Sequence, residues 1–298
     1  MNKKILAITV TWQPVIKDLS RQVAVLLNSN VDIVIVDNGS ENVAALEEYV
    51  SGCPDNVSLL KMQENLGIAA AQNQGITRAT EQGYAYILLM DQDSLPAENM
   101  VEELLQGFST LTDAAAIGPN FTNGQEASQA RFIRVEGLSI IKMSQNDSSN
   151  IVEVDHLIAS GSLIPVRALA VTGLMDESLF IDYVDIEWAL RARAKGLRSY
   201  GCFSAQMHHA LGDNKVAFMG RNVAVHSPQR HYYMVRNAIL LYKRNFIPVS
   251  WKVVDCYKLA IKMTILLLFT GQRLKNIKAI IRGCRDGINS KSGKCELK

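Results

Sequence analysis

Short runs of Ile, Val and Leu alternate along the chain with stretches whose apolar residues recur every three or four positions. Ile5–Thr11 reads as a buried strand. The next stretch, from Val15 to Asn28, reads as a helix with Ile16, Leu19, Val23, Leu26 and Leu27 on one side. A second apolar run, residues 31–36, stops abruptly at Asp37-Asn38-Gly39-Ser40. The same alternation predicts a helix over 41–51, a strand over 57–61, a helix over 68–82, and a strand over 86–90 that runs straight into Asp91-Gln92-Asp93. Strands alternating with helices predict a parallel sheet covered on both faces, with ligands bound beyond the carboxyl ends of the strands. Both acidic turns fall at such ends.

The second half is less regular. Residues 121–150 are polar and read as loops around a strand at 132–135. Residues 250–288 read as helices. Lys252, Asp255, Lys258 and Lys262 share one helical face. Leu274, Ile277, Ile280, Ile281, Cys284 and Ile288 form an apolar stripe opposite Arg273, Lys275, Lys278, Arg282 and Arg285. That profile suits a helix lying in a membrane interface, and equally a helix packed on the body with a solvated basic face. The last ten residues read as unstructured.

The 298 residues are 48% hydrophobic and 20% charged, as expected of a globular chain with a real core. The net charge of +2 conceals an asymmetry. Residues 229–298 carry 15 Lys/Arg against 3 Asp/Glu, a net of +12, whereas the remainder carries −10. A basic tail on an acidic body points to an anionic surface, lipid or nucleic acid. The N-terminal apolar run is too short for a signal peptide, and no stretch approaches the ~20 apolar residues of a membrane span. The five cysteines contain no CxxC pair, which fits reduced thiols.

Several segments could carry chemistry. Asp91 and Asp93 could share one Mg²⁺ or Mn²⁺ that also holds a diphosphate, or form a solvated turn. Asp37 could accept a hydrogen bond from a nucleobase or ribose, or simply belong to a turn. Residues 65–75 (NLGIAAAQNQG) allow close approach of backbone to a ligand, or a tightly packed helix. Asp182, Asp185 and Glu187 fall within six residues among apolar neighbours, where one could serve as a general base or offset a helix dipole. His208 and His209 follow another short strand and could complete a metal site.

Taken in order, DNGS, NxGxAxAxNxG, DQD, an acidic segment before WxLR, and HxxG resemble the family 2 glycosyltransferases of GT-A fold, over most of residues 5–240. DQDS, FIDYVDIEW, HSPxRxYYxxRN (His226 to Asn237) and the tail around Asp286–Ile288 and Lys291–Lys294 are similar to the bacterial rhamnosyltransferase branch. The resemblance implies an α/β GT-A sheet sandwiched by helices, with a catalytic domain over 1–225 and a basic helical extension over 226–298. It implies that Thr11, Asp37, Asn65, Gly67, Asn73, Asp91 and Arg236 contact the nucleotide sugar. Asp93 and His209, with Asp91, would hold Mg²⁺ or Mn²⁺, and Asp185 would be the catalytic base. Ser160, Gly161, Asp182, Glu187 and Trp188 would lie on the acceptor side. Arg230, Tyr232 and Tyr233, like Arg236, would hold a donor diphosphate or an acceptor phosphate.

The reaction implied is a single in-line displacement with inversion. It would move rhamnose from dTDP-rhamnose to a lipid-diphosphate-linked, O-antigen-type glycan at the inner face of the bacterial cytoplasmic membrane. A UDP-hexose donor is the alternative within the family. A basic-tailed protein that binds membrane or nucleic acid is the alternative outside it, with nucleic acid the less expected partner because the basic segment carries an apolar stripe. A dinucleotide-binding dehydrogenase is excluded by the missing GxGxxG after the first strand. A processive polysaccharide synthase is disfavoured because QxxRW is absent.

Overall fold

The computed structural model describes residues 4–123, 132–145, 150–209, 214–218, 221–225, 227–269 and 272–295, with the backbone alone for 123, 214–218, 221–225 and 269. The chain begins β1 (Ile5–Thr11), α1 (Ile16–Asn28), β2 (Asp32–Asp37), α2 (Val43–Ser51), β3 (Val57–Lys61), α3 (Ile68–Glu81) and β4 (Tyr86–Asp91). It continues with β5 (Ser94–Pro96), α4 (Met100–Gly107), β6 (Ala114–Asn123), β7 (Ile133–Glu136), β8 (Ser139–Lys142), β9 (Ile151–Val154) and β10 (Leu163–Pro165). Then come α5 (Val166–Thr172), α6 (Val184–Ala194), β11 (Arg198–His209), β12 (Asn214–Phe218) and β13 (Arg221–Val225). Three helices follow, α7 (Pro228–Tyr242), α8 (Val249–Phe269) and α9 (Arg273–Ile288).

The main sheet runs β3-β2-β1-β4-β10-β6-β11-β5, with β9 paired to β11. Its first four strands are parallel, as the alternation predicts. Beyond β4 the sheet becomes mixed: β10 is antiparallel to both β4 and β6, and β5 is antiparallel to β11. Alternate side chains of each strand feed two cores. Leu6, Ile8, Val34 and Val36 pack with α3, α5 and α6, while Ile5, Ala7, Ile33 and Ile35 pack with α1, α2 and α4. The register pairs Thr11 with Asp37 and Val10 with Asp91, so three strand ends finish at one level. The strand predicted at 132–135 is one arm of the β7–β8 hairpin.

The C-terminal helices depart most from expectation. α9 does pack on the body, against α7, but through Asn276, Ala279, Gly283 and Gly287. A Cβ on Gly283 would stand 2.7 Å from the Tyr232 carbonyl oxygen, so only glycine permits this approach. Ile280 and Cys284 pack with Met263 and Leu266 of α8. The remainder of the predicted stripe faces outward: Leu274 is 76% exposed, Ile281 63% and Ile288 65%, and Ile277 is exposed too.

The face of Lys252, Asp255, Lys258 and Lys262 is turned partly inward, because Asp255 accepts hydrogen bonds from Tyr183 (2.9 Å) and Tyr242 (2.7 Å). The tail predicted as unstructured packs as far as Cys295. The Gly293 N–H donates to the Ser178 carbonyl (2.6 Å), the Cys295 N–H donates to Tyr233 Oη (2.7 Å), and Lys294 pairs with Glu64 (2.9 Å). Residues 296–298 lie outside the described residues.

Candidate active site

Four strand ends and one helix start converge on a carboxylate-rich cleft. β4 delivers Asp91, the following turn delivers Asp93, and the end of β11 delivers His209, paired in register with Ser94 of β5. The ligand atoms of Asp91, Asp93 and His209 all lie within 4.8 Å of one another, and His209 Nδ1 is 3.6 Å from Asp93 Oδ1. Two hard oxygen donors and an imidazole suit Mg²⁺ or Mn²⁺. Burial pushes the Asp91 carboxyl up, and nearby Asp93 adds to this. That is the condition of a carboxylate poised to gain from a cation, so the residues fit such an ion. Neighbouring His208 is instead exposed, 3.3 Å from Thr122 Oγ1.

The turn carrying the two aspartates is braced from beneath. Gln22 of α1 donates to the Asp91 carbonyl (2.7 Å) and the Ser94 carbonyl (2.6 Å), and accepts from Thr9 (2.8 Å). Gln92 holds the first loop through both backbone groups of Trp12, at 2.8 and 3.2 Å. Neither glutamine was a predicted site residue. Gln22 signals itself only as a polar residue on the otherwise apolar Leu19–Val23–Leu26 face.

Thr11 Oγ1 donates to Asp37 (3.3 Å), and Asp37 also accepts from the Ser40 N–H (2.9 Å). Asn65 and Gly67 shape the adjoining loop. Asn65 Oδ1 accepts from Gly67 N–H (3.0 Å) and from Asn38 Nδ2 (3.2 Å). Gly67 has φ +95° with the Phe180 carbonyl pressed against it, leaving no room for a side chain.

Asp185 enters at the first turn of α6, with Oδ1 accepting from Ile186 N–H (2.8 Å). It lines a pocket with Gln72, Met175 and Trp188. Burial raises its pKa to about 6, helped by the charges of Asp91 and Asp182. Asp182 pairs with Arg230 (3.2 Å), whose charge also reaches Asp91. Of the four predicted phosphate holders, Arg230 is therefore the one that faces the acidic cluster. The segment leading to Asp185 is strained: Phe180, Asp182 and Tyr183 all have φ near +65°. Left-handed backbone costs a non-glycine residue roughly 1–2 kcal/mol.

The remaining predicted residues take a range of positions. Asn73 is buried and staples α3 to the following layer, donating to the Met175 carbonyl (3.0 Å) and accepting from its N–H (2.9 Å). Ser160 is fully buried under the Asp91 turn, accepting from Asp91 N–H (3.0 Å) and donating to Ser94 (2.7 Å). Gly161, at φ +81°, has the Pro119 ring where a side chain would stand. Glu187 is 0% exposed between Arg191 (2.9 Å) and Arg244 (2.7 Å). Trp188 lines the pocket with its ring while its Nε1 donates to the Gly173 carbonyl (2.9 Å). Tyr232 and Tyr233 are buried. Arg236 is 1% exposed and donates to the carbonyls of Gly293 (2.5 Å) and Leu179 (2.9 Å). Gly212 and His226 lie outside the described residues.

Comparisons with known proteins point to one family and one fold. The model of the family described as "Glycosyl transferase family 2" matches residues 11–170. The dTDP-rhamnosyl transferase RfbF of Shigella flexneri is 31% identical over 295 residues, covering 98% of each chain. Among solved structures, S. aureus TarS 1-349 in complex with UDP-GlcNAc superposes with a TM-score of 0.59 at 14% identity, covering 97% of this chain and 81% of that one. GalNAc-T7 with UDP, GalNAc and Mn²⁺ also gives 0.59, at 11% identity, covering 90% of this chain and 58% of that one.

Proposed function

The chain belongs to glycosyl transferase family 2 and is a glycosyltransferase of GT-A fold, and we propose that it moves L-rhamnose from dTDP-rhamnose to a hydroxyl of a lipid-diphosphate-linked glycan, with inversion. The gathering of Asp91, Asp93 and His209 beside Asp185 carries this reading. The full-length likeness to the Shigella dTDP-rhamnosyl transferase supports the donor.

Thr11 and Asp37 form the floor for the nucleobase and ribose. Asp91, Asp93 and His209 would hold Mg²⁺ or Mn²⁺, which when bound neutralises charge on the departing diphosphate. Asp185 takes the proton of the acceptor hydroxyl as that oxygen attacks the anomeric carbon, and Trp188 walls the acceptor side.

Thermal shift against dTDP, UDP, GDP and CMP, each with and without Mn²⁺, tests the donor. Ligand at 100 times its Kd stabilises by ~2.7 kcal/mol. A metal-dependent shift with dTDP is expected, and in Asp93→Ala its metal-dependent part disappears. A shift with UDP instead would replace rhamnose by a UDP-linked hexose, and none with any nucleotide would overturn the reading.

The same proposal places the protein on the inner face of the cytoplasmic membrane, with residues 1–225 catalytic and 226–298 the membrane-facing extension. No described helix is long and apolar enough to cross a membrane. The outward residues of α9, with exposed Val249, Val253, Tyr257, Ile261 and Leu268 of α8, lie among Lys and Arg, which suits an anionic lipid surface. Leu274→Glu combined with Ile281→Glu is expected to weaken binding to phosphatidylglycerol vesicles by about tenfold or more. Transfer to a water-soluble acceptor should persist. Unchanged vesicle binding, or tighter binding to duplex DNA than to vesicles, would remove the membrane role.

A further inference from the structure

We propose that Arg236, Asn237 and the C-terminal segment Gly293–Cys295 form a clamp that aims Asp185, acting as positioning residues on the loop that precedes it. The inference rests on the reading of Asp185 as the base.

The loop is unusual in backbone and in partners. Phe180, with φ 64° and ψ −63°, centres a γ-turn of the strained kind, closed by Ile181 N–H donating to the Leu179 carbonyl (2.8 Å). Asp182 and Tyr183 are also left-handed, and Tyr183 caps the helix that carries Asp185. Such a conformation persists only where its surroundings over-determine it.

Here every carbonyl from Ser178 to Asp182 accepts a hydrogen bond. Ser178 accepts from Gly293 N–H (2.6 Å) and Leu179 from Arg236 (2.9 Å). Phe180 accepts from Ile68 N–H (2.8 Å), at the start of the helix next to Gly67. A single amide, Asn237 Nδ2, donates to the carbonyls of Leu179 (2.9 Å), Ile181 (2.7 Å) and Asp182 (3.0 Å).

Arg236 and Asn237 are essentially fully buried, and neither lines the Asp185 pocket. Among the described residues Arg236 pairs with no carboxylate. Its guanidinium lies 4.8 Å from the Tyr233 ring centre and 5.5 Å from that of Tyr232; its Nη groups go to loop and tail carbonyls, and its Nε donates to Asn237 Oδ1 (2.9 Å). Cys295 N–H on Tyr233 Oη, and the Gly293 carbonyl on Arg236, tie the tail into the same cluster. A buried cation and a buried amide are thus spent on the backbone immediately before the base.

A misplacement of about 1 Å can cost ~100-fold in rate, so a clamp of this kind is read in kcat. Asn237→Ala and Arg236→Lys are expected to lower kcat by about tenfold or more at saturating substrates, while the Kd for dTDP with Mn²⁺ stays within about twofold. Measurement is on folded protein below its melting temperature. A purely structural role would leave kcat per folded molecule unchanged, or would lower dTDP affinity in step with kcat, and either result overturns the clamp.

Should Asn237→Ala fail to fold, Gly293→Pro carries the same test. It deletes the N–H donated to Ser178 at a φ of +76° that proline cannot adopt, away from the sheet. Asp185→Asn is assayed alongside. If it retains full kcat, the base assignment falls and the clamp with it. If it is inactive while the clamp variants keep wild-type kcat, the clamp alone falls.

Discussion

Asp185→Asn is expected to lower kcat by about 10²–10⁴, the usual contribution of a general base, with nucleotide affinity nearly intact. It should also melt at a higher temperature than the parent at pH 8. The two outcomes have one cause. Burial and the charges of Asp91 and Asp182 lift the Asp185 pKa from 3.8 to about 6, so folding disfavours its ionised form. The favourable contribution of the protonated acid is complete below the unfolded pKa and is lost as pH rises through about 6. Above that, the charged carboxylate costs about 2–3 kcal/mol, which the neutral amide removes while keeping the acceptor for Ile186 N–H. Transfer by the parent should rise with pH to a plateau above about 6, where Asp185 is a competent base. A variant that loses dTDP binding along with activity would move Asp185 into the nucleotide shell. Lower stability at pH 8 would refute the account of its burial.

Glu187→Ala is expected to destabilise by about 3 kcal/mol, roughly 6–12 °C in melting temperature. Glu187 is fully enclosed and bridges two guanidinium groups: Arg191 one turn along α6, and Arg244 just beyond α7. Arg244 keeps a second partner, Asp176, so the loss falls at the lower end for a broken buried pair. Acceptor KM measured well below the melting temperature should not change, since no part of Glu187 reaches the cleft. A raised KM with an unchanged melting temperature would return Glu187 to the acceptor side.

The parallel half of the sheet was legible because its strands are buried on both faces and read as unbroken Ile/Val runs. β10 and β5 were not, because three residues carry no periodicity. The acidic cluster was legible for a related reason: charged residues at the ends of buried strands have nowhere to go but the cleft. What a motif does not disclose is whether a polar side chain turns to ligand or to backbone. Asn73 bonds Met175, 102 positions away, and Arg236 bonds Leu179, 57 away. Such partners exist only after folding. α9 misleads in the opposite sense, since its large apolar residues invite packing while glycine and alanine achieve it by letting two helix backbones approach.

The clamp also orders events during synthesis. Ser178 leaves the ribosome about 115 residues before Gly293, the donor to its carbonyl. At ~5–20 residues per second that interval is roughly 6–23 s. Within it, once β11 has emerged, the sheet and the Asp91–Asp93 turn can form on the nascent chain, while the three left-handed residues before Asp185 still lack the tail that completes their hydrogen bonds. Donor binding can therefore mature ahead of transfer, and a ribosome-stalled chain ending before Gly293 would hold nucleotide with its base still unaimed.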